Sequence, residues 1–244
     1  MAYWFEGPLA AFDTETTGVD VEQDRIVSAA LVVQSAPGEP AFAACWLVDP
    51  GVPVPAAAQA VHGLSAEFLR LDGRPPGPVV EELGRELAAQ CAAGIPLVVM
   101  NAPFDLTLLD RELKRHRGSA LSSYFTAGPG WAVVDPRVLD KHLDRYRKGR
   151  RTLTDLCAHY GVVLDGAHDA AADAAASLDL VRAIARRYAA RLAHLALPEL
   201  HARQAVWHAA QSRGLQAWFA ANGTPEVCDP AWPLRPEPPT TAAA

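Results

Sequence analysis

A mixed α/β fold, with one five-stranded sheet covered by helices on both faces, is predicted by three features of the sequence. Residues 8–49 hold three short runs rich in apolar and β-branched residues, PLAAFD (8–13), RIVSAALVVQ (25–34) and AFAACWLVD (41–49), separated by polar or Gly/Pro turns. That spacing reads as consecutive antiparallel strands. From residue 95 onward strand and helix patterns alternate, as parallel strands joined by helical crossovers do. The 244 residues are half apolar and one fifth charged, enough for one full-sized domain with a substantial core and a short appendage.

The later elements follow in order. A Pro-rich connection leads to PVVEELGRELAAQC (78–91), where Val79, Leu83, Leu87 and Cys91 recur every four residues as one helical stripe. IPLVVMN (95–101) predicts the fourth strand. Phe104, Leu108, Leu109 and Leu113 mark a helix that ends in Lys114, Arg115 and Arg117, cations suited to the negative end of a helix dipole, with Gly118 as the stop. WAVVD (131–135) predicts the fifth strand. PRVLDKHLDRY (136–146) reads as a helix with Pro136 in its first turn, and TLTDLCAHYG (152–161) as another ending at Gly161. Residues 169–193 are Ala-rich throughout, with Leu178, Val181, Ala185 and Tyr188 as the buried stripe of a long last core helix. Residues 194–223 form a helical extension in which Leu200, Trp207, Leu215 and Trp218 are available for packing and Asn222-Gly223 marks the end. Residues 224–244 carry six prolines and cannot be regular structure. The expected division is 1–193, 194–223 and 224–244, without internal repeats.

A formal charge of −6 argues against a protein that coats nucleic acid with its whole surface, so any polynucleotide would be held locally. KHLDRYRKGRR at 141–151 sets six Lys or Arg residues against one Asp. Such a run reads either as a nucleic-acid contact or as a solvated helix end. Cys45, Cys91, Cys157 and Cys228 lie far apart with no C-x-x-C pair, and MAYWFEGPLA lacks a basic segment followed by an apolar one. Neither disulfides nor secretion is expected. The longest apolar runs fall far short of the roughly 18 residues of a membrane span, so the expectation is a cytoplasmic chain with reduced thiols and no membrane partner.

Three short motifs can carry chemistry. In FDTETTG (12–18), Asp13 and Glu15 are two apart on an extended strand and aim both carboxylates at one point. Near-buried like charges are costly unless a cation resolves them, and Mg²⁺ prefers carboxylate oxygens and water. A strand ending in polar residues before a turn is the structural alternative. In MNAPFDLTLLD (100–110), Asp105 follows an apolar strand at the start of a helix, where an acid also complements the helix dipole. In HDAAAD (168–173), His168 precedes Asp169, a plausible N-cap, and Asp173 lies one turn into the helix, which an ordinary capped helix start also explains. His194, His201 and His208 are spaced by seven near the C-terminus; with no acids or cysteines converging on them, they read as a helix face.

D-x-E on the first strand, Asp about ninety positions later and H-x-x-x-x-D on the last core helix occur in chain order, and in this the chain resembles the DEDDh (DnaQ-like) 3′-to-5′ exonucleases, typified by the proofreading epsilon subunit of bacterial DNA polymerase III. LVDPGVPVPAAAQAVHGLSAEFL (47–69) and TLTDLCAHYGV (152–162) extend the resemblance over roughly residues 8 to 190. It implies a ribonuclease H-like fold and two divalent cations, Mg²⁺ or Mn²⁺, held by Asp13, Glu15, Asp105 and Asp173, with His168 as the base that takes a water's proton. It also implies that Thr16 and Thr17, the Val61-His62 pair and Phe104 hold the terminal nucleotide. Many relatives carry His before the Asn of NAxFD, whereas this chain has Met100, so a polar role at that position is absent. The implied substrate is a single-stranded or frayed DNA 3′ end, for proofreading, repair or end trimming, because DTETTG looks like the DNA-directed branch. The alternatives are RNA trimming of the RNase T or oligoribonuclease kind and a non-catalytic nucleic-acid-binding scaffold. Trp207, Trp218 and Trp232 would suit a polymerase or repair partner, or fold back on the core.

Overall fold

Alternation of apolar side chains builds the first half of the sheet. In the computed structural model, which describes residues 3–126, 128 and 130–238, β1 (Leu9–Thr16), β2 (Ile26–Gln34) and β3 (Ala41–Leu47) pair antiparallel. The β1–β2 register runs from Leu9 opposite Gln34 to Thr16 opposite Ile26 and shifts between Glu15 and Thr16. Two helices, α1 (Ala56–His62) and α2 (Ala66–Asp72), occupy the stretch whose composition predicts only a connection. Each is seven residues long, too short for a hydrophobic stripe. Their ends define them: Gly63 closes α1 at φ 75°, and the Ser65 hydroxyl accepts from the Phe68 amide to cap α2.

The chain then alternates as predicted through α3 (Pro76–Ala92), β4 (Leu97–Val98), α4 (Asp105–Arg117), β5 (Val133–Val134) and α5 (Pro136–Leu143). It continues through α6 (Leu153–Tyr160), α7 (Ala170–Arg187), α8 (Ala189–Leu192) and α9 (Leu197–Ala221). β4 runs parallel to β1, and β5 to β4. The strand order β3-β2-β1-β4-β5 is the mixed, ribonuclease H-like sheet that the resemblance implies.

Two helix ends differ from expectation. α5 stops at Leu143 rather than residue 146, because its fully buried Asp140 takes Arg147 (3.2 Å), Arg151 (2.6 Å) and the Tyr160 hydroxyl (2.9 Å) as partners. The chain must turn back to deliver those arginines. The Ala-rich helix is broken at Tyr188 (φ −113°, ψ 31°), and the following turns tuck Leu192 and Leu195 into the core.

Helices cover both faces of the sheet. Val79, Val80, Leu83 and Leu87 of α3 and Leu106, Leu109 and Leu113 of α4 pack against Ala10, Phe12 and Leu97 on one side. On the other, Ala174, Leu178, Val181 and Ile184 of α7 pack with Leu9, Ala11 and Val98. The outer edge of β5 is closed by α9: His201 Nδ1 accepts from the Val133 amide (3.2 Å), Gln204 Nε2 donates to the Val133 carbonyl (2.9 Å), and Gln204 Oε1 accepts from the Asp135 amide (2.8 Å). Edge groups that would otherwise be free to pair with another strand are thereby satisfied.

The described part of the Pro-rich segment, residues 224–238, forms no regular element yet is fastened to the core. Trp232 is 8% exposed, Leu234 packs beside it, the Arg235 amide donates to Thr107 Oγ1 (2.9 Å) and Arg111 donates to the Pro236 carbonyl (2.7 Å). Trp207 is half-buried and stacks on His142, whereas Trp218 is exposed. Among the described residues no helix is long and apolar enough to cross a membrane.

Candidate active site

Strand alternation places the first two acids. Asp13 and Glu15 point to the α7 side of β1, continuing the row of Leu9 and Ala11, while Thr14 between them points to the α4 side. Gly18 ends the motif because the Asp24 carboxylate fills the place of a side chain: a Cβ there would come within 2.5 Å of it. That carboxylate accepts from the Thr17 hydroxyl (2.7 Å) and the Asp20 amide (2.8 Å), locking the loop after β1.

Asp105 opens α4, is 4% exposed, and accepts from both the Thr14 amide (3.1 Å) and the Thr14 hydroxyl (2.6 Å) through Oδ1. The preceding turn is set by Asp135 at the end of β5, whose carboxylate accepts from the amides of Asn101 (3.2 Å) and Ala102 (3.0 Å) and caps α5 through those of Arg137 and Val138. Asn101 there adopts φ 60°, a left-handed conformation that asparagine tolerates better than most residues.

Asp173 lies in the first turn of α7, behind Asp169, which accepts from the Ala171 and Ala172 amides as the N-cap. The small residues Ala170, Ala174 and Ser177 let this helix end lie close to β1. His168, at φ 68°, is exposed, and its amide approaches Asp173 Oδ2 at 3.4 Å. Ligand atoms of Glu15, His168 and Asp173 all lie within 4.8 Å of one another. His201 and His208 turn instead to the Val133 amide and the Pro230 carbonyl, as a helix face.

The acids disturb one another. Burial, then Asp105, Asp173 and Glu15, raise the Asp13 carboxyl well above its ordinary range. Burial and the charges of Asp173 and Asp105 push Glu15 up to about 8, and burial, opposed by the Thr14 hydrogen bonds, pushes Asp105 up to about 7. Asp173 is raised by burial as well. No Lys or Arg among the described residues forms an ion pair with any of the four, and Asp173 Oδ1 is buried without a hydrogen-bond partner. A set of hard carboxylate oxygens without a Lys or Arg ion-pair partner fits divalent cations of the Mg²⁺ kind.

The other expected residues lie around this centre. Thr16 donates to the Gly18 carbonyl, and the Thr17 hydroxyl is committed to Asp24 and the Arg25 amide. His62, at the end of α1, lies near the Thr16 carbonyl and accepts from the Leu64 amide through Nδ1; its Nε2 is buried and unpaired, and burial lowers its pKa. Val61 is 52% exposed, and Phe104 sits half-buried immediately before Asp105. Thr14 and Asp135 escape motif reading, whereas Asp169 is the N-cap that HDAAAD suggests. Period-two alternation does flag Thr14 as facing away from its acidic neighbours, and Asp-Pro at a strand-to-helix junction flags Asp135 as a cap.

A buried acidic centre at the end of such a sheet defines a nuclease-like class of protein. The exonuclease family model RNase_T matches residues 10–181, and the chain belongs to that family. A DNA polymerase III subunit epsilon-like protein of Rhodobacter capsulatus is 39% identical over 107 residues, which are 43% of this chain and 14% of that protein. Exonuclease I from Methylocaldum szegediense superposes with a TM-score of 0.64 at 18% identity, covering 84% of this chain and 45% of the other. E. coli exonuclease I in complex with a dT13 oligonucleotide gives 0.59 at 16%, covering 75% and 42%. Exonuclease X in complex with 5′ overhanging duplex DNA gives 0.53 at 19%, covering 79% and 96%. The chain thus spans less than half of these exonuclease I chains and a seventh of the curated relative.

Proposed function

We propose that the chain hydrolyses the terminal phosphodiester bond at the 3′ end of single-stranded or frayed DNA, releasing nucleoside 5′-monophosphates. The observation that carries this reading is the convergence of Asp13, Glu15, Asp105 and Asp173 with no cationic partner, which leaves Asp173 Oδ1 unpaired. Asp13, Glu15 and Asp173 would hold one divalent cation, and Asp13, with Asp105 acting indirectly, a second. Such ions, when bound, lower the pKa of a water and neutralise charge developing on the leaving 3′ oxygen.

The protein's own groups orient and move protons. Thr14 fixes Asp105 through two donors, so that carboxylate keeps one direction. His168, exposed beside Glu15 and Asp173, accepts a water's proton on an imidazole nitrogen as the water oxygen bonds to phosphorus and the P–O3′ bond breaks. Phe104, Val61 and His62 border the place of the terminal nucleotide, and the Thr16–Thr17 backbone borders its sugar. A buried centre bordered in this way accepts an unpaired end better than a stacked duplex, and the oligonucleotide held by the E. coli neighbour supports that preference. Trp232 serves the fold, which leaves Trp218 as the exposed tryptophan for a polymerase or repair partner.

Single strands of DNA and of RNA, labelled at the 5′ or the 3′ end, test this with Mg²⁺ and with EDTA. A 3′ label should leave at once as a mononucleotide, a 5′ label should shorten stepwise, DNA should be preferred, and EDTA should stop both. Release of the 5′ label first, or hydrolysis in EDTA, contradicts the reading.

A further inference from the structure

Beside the acidic centre, a cleft of about 240 Å³ opens between α5, α9 and the Pro-rich segment. Its walls include Arg137, Lys141, Gln211, Ser212 and Arg235, and its rim is Asn101 and Pro103, from the turn that delivers Phe104 and Asp105. A second, more open cleft shares Asn101 and Arg137 and adds Arg150 and Arg151. Arg137 is the post between them, donating to Asn101 Oδ1.

Cations outnumber acids in this region. Arg147 and Arg151 are consumed by Asp140, but Arg137, Lys141, Arg150 and Arg235 form no ion pair among the described residues. Two acids also line the first cleft: Asp135 accepts from the Asn101 and Ala102 amides and feels the charge of Arg137, and Asp229 accepts from the Ala231 amide at 2.8 Å. Burial and the neighbouring Arg137 and Arg151 depress the pKa of Lys141, as expected for a half-buried ammonium surrounded by like charge. Such a site is relieved by an anion. β5 lies two strands from β1, about 10 Å across the sheet. A strand whose last nucleotide rests on Phe104 therefore reaches the cleft within a few nucleotides. Most of the cleft wall comes from α9 and the Pro-rich segment, outside residues 10–181 that the family model matches.

We propose that this cleft docks a phosphodiester of the substrate strand upstream of the nucleotide being removed, with Lys141, Arg137 and Arg235 as the phosphate partners. The C-terminal extension thus supplies a subsite for longer strands. The proposal rests on the nuclease reading above, and its test separates the two.

The direct measurement is anisotropy of a labelled single strand of about ten nucleotides bound to the full chain in EDTA, where no turnover occurs. Lys141→Gln and Arg235→Gln should each weaken binding about ten- to a hundredfold, the size of one charge-assisted contact. Each should also flatten the salt dependence by about 0.7 in log–log slope, the value for one phosphate of a single strand. Lys141→Arg, which keeps the charge, should bind like the wild type, and melting curves identify any variant that has lost its fold. Steady-state assays add the length dependence: KM for the ten-mer should rise by the same factor at constant kcat, while a nitrophenyl ester of a mononucleotide, too short to reach the cleft, should be cleaved unchanged. Folded Lys141→Gln and Arg235→Gln proteins that bind the strand with wild-type affinity and salt slope overturn the proposal. So does an equal loss for free dTMP, which would make the cleft a product site. If the wild type binds strands through these residues yet cleaves none in Mg²⁺, the nuclease reading falls and the docking site stands.

Discussion

Asp13→Asn is the most informative substitution, because it separates the charge of the acidic centre from its shape. The folded pKa of Asp13 is raised above its unfolded value, so between those values the folded state binds more protons than the unfolded one and stability falls as pH rises. Near pH 5 the buried carboxyl is held neutral, and aspartate and asparagine should differ little in metal-free protein. At higher pH, ionising it beside Asp105, Asp173 and Glu15 is increasingly costly to the wild type. Two unit charges about 5 Å apart repel by about 3 kcal/mol at an effective dielectric near 20. One relieved pair of that size corresponds to about 6–12 °C in a chain of this length. Melting followed by circular dichroism in EDTA should therefore show Asp13→Asn equal to the wild type at about pH 5 and several degrees above it at about pH 9. In Mg²⁺ at a thousand times its Kd the wild type should gain about 4.1 kcal/mol and overtake the variant, whose site is incomplete. An asparagine variant that melts lower than the wild type in EDTA, with the same offset at both pH values, would show Asp13 to be a structural hydrogen-bonding residue and refute the reasoning.

Other perturbations reach the remaining parts of the site and its support. His168→Ala should lower turnover by about 10² to 10⁴ with little change in strand affinity, as loss of a general base does, and an unchanged kcat at neutral pH removes His168 from that role. Thr14→Val deletes the hydroxyl donor to Asp105, so carboxyl NMR titration of metal-free protein should place that group about one unit higher than in the wild type, and an unmoved titration shows the 2.6 Å bond to be unimportant. Gln204→Ala leaves the Val133 carbonyl and the Asp135 amide unpaired in the interior, which should cost about 1–3 kcal/mol and lower Tm by roughly 2–12 °C; a smaller loss means water replaces the amide.

The five strands of the sheet are legible because each carries its own signal: β-branched runs with turns for β1 to β3, and apolar runs between helical stripes for β4 and β5. The acids were legible for a related reason, since Asp13 and Glu15 share a strand face and Asp105 and Asp173 open helices. What stayed hidden has physical causes. α1 and α2 are two turns each, so no periodicity exists to detect, and only Gly63 and Ser65 mark them. The stop of α5 at Leu143 depends on a buried Asp140 calling back Arg147 and Arg151, a tertiary pairing with no local trace. The closure of the β5 edge by His201 and Gln204 joins residues about seventy positions apart. Proline content argues against regular structure after residue 223, and the described residues 224–238 form no helix or strand, but composition says nothing about docking, which Trp232 and Arg235 achieve through contacts with distant elements.

Binding of a paramagnetic ion reports directly on whether the four carboxylates form one metal centre. Mn²⁺ titrated into the wild-type chain at neutral pH, with free ion followed by electron paramagnetic resonance, should bind at up to two equivalents and be displaced by Mg²⁺. Asp13→Asn and Asp173→Asn should each lose at least one equivalent. Wild-type protein that leaves Mn²⁺ free at millimolar concentration, or variants that bind it as the wild type does, would contradict a divalent-metal site built from Asp13, Glu15, Asp105 and Asp173.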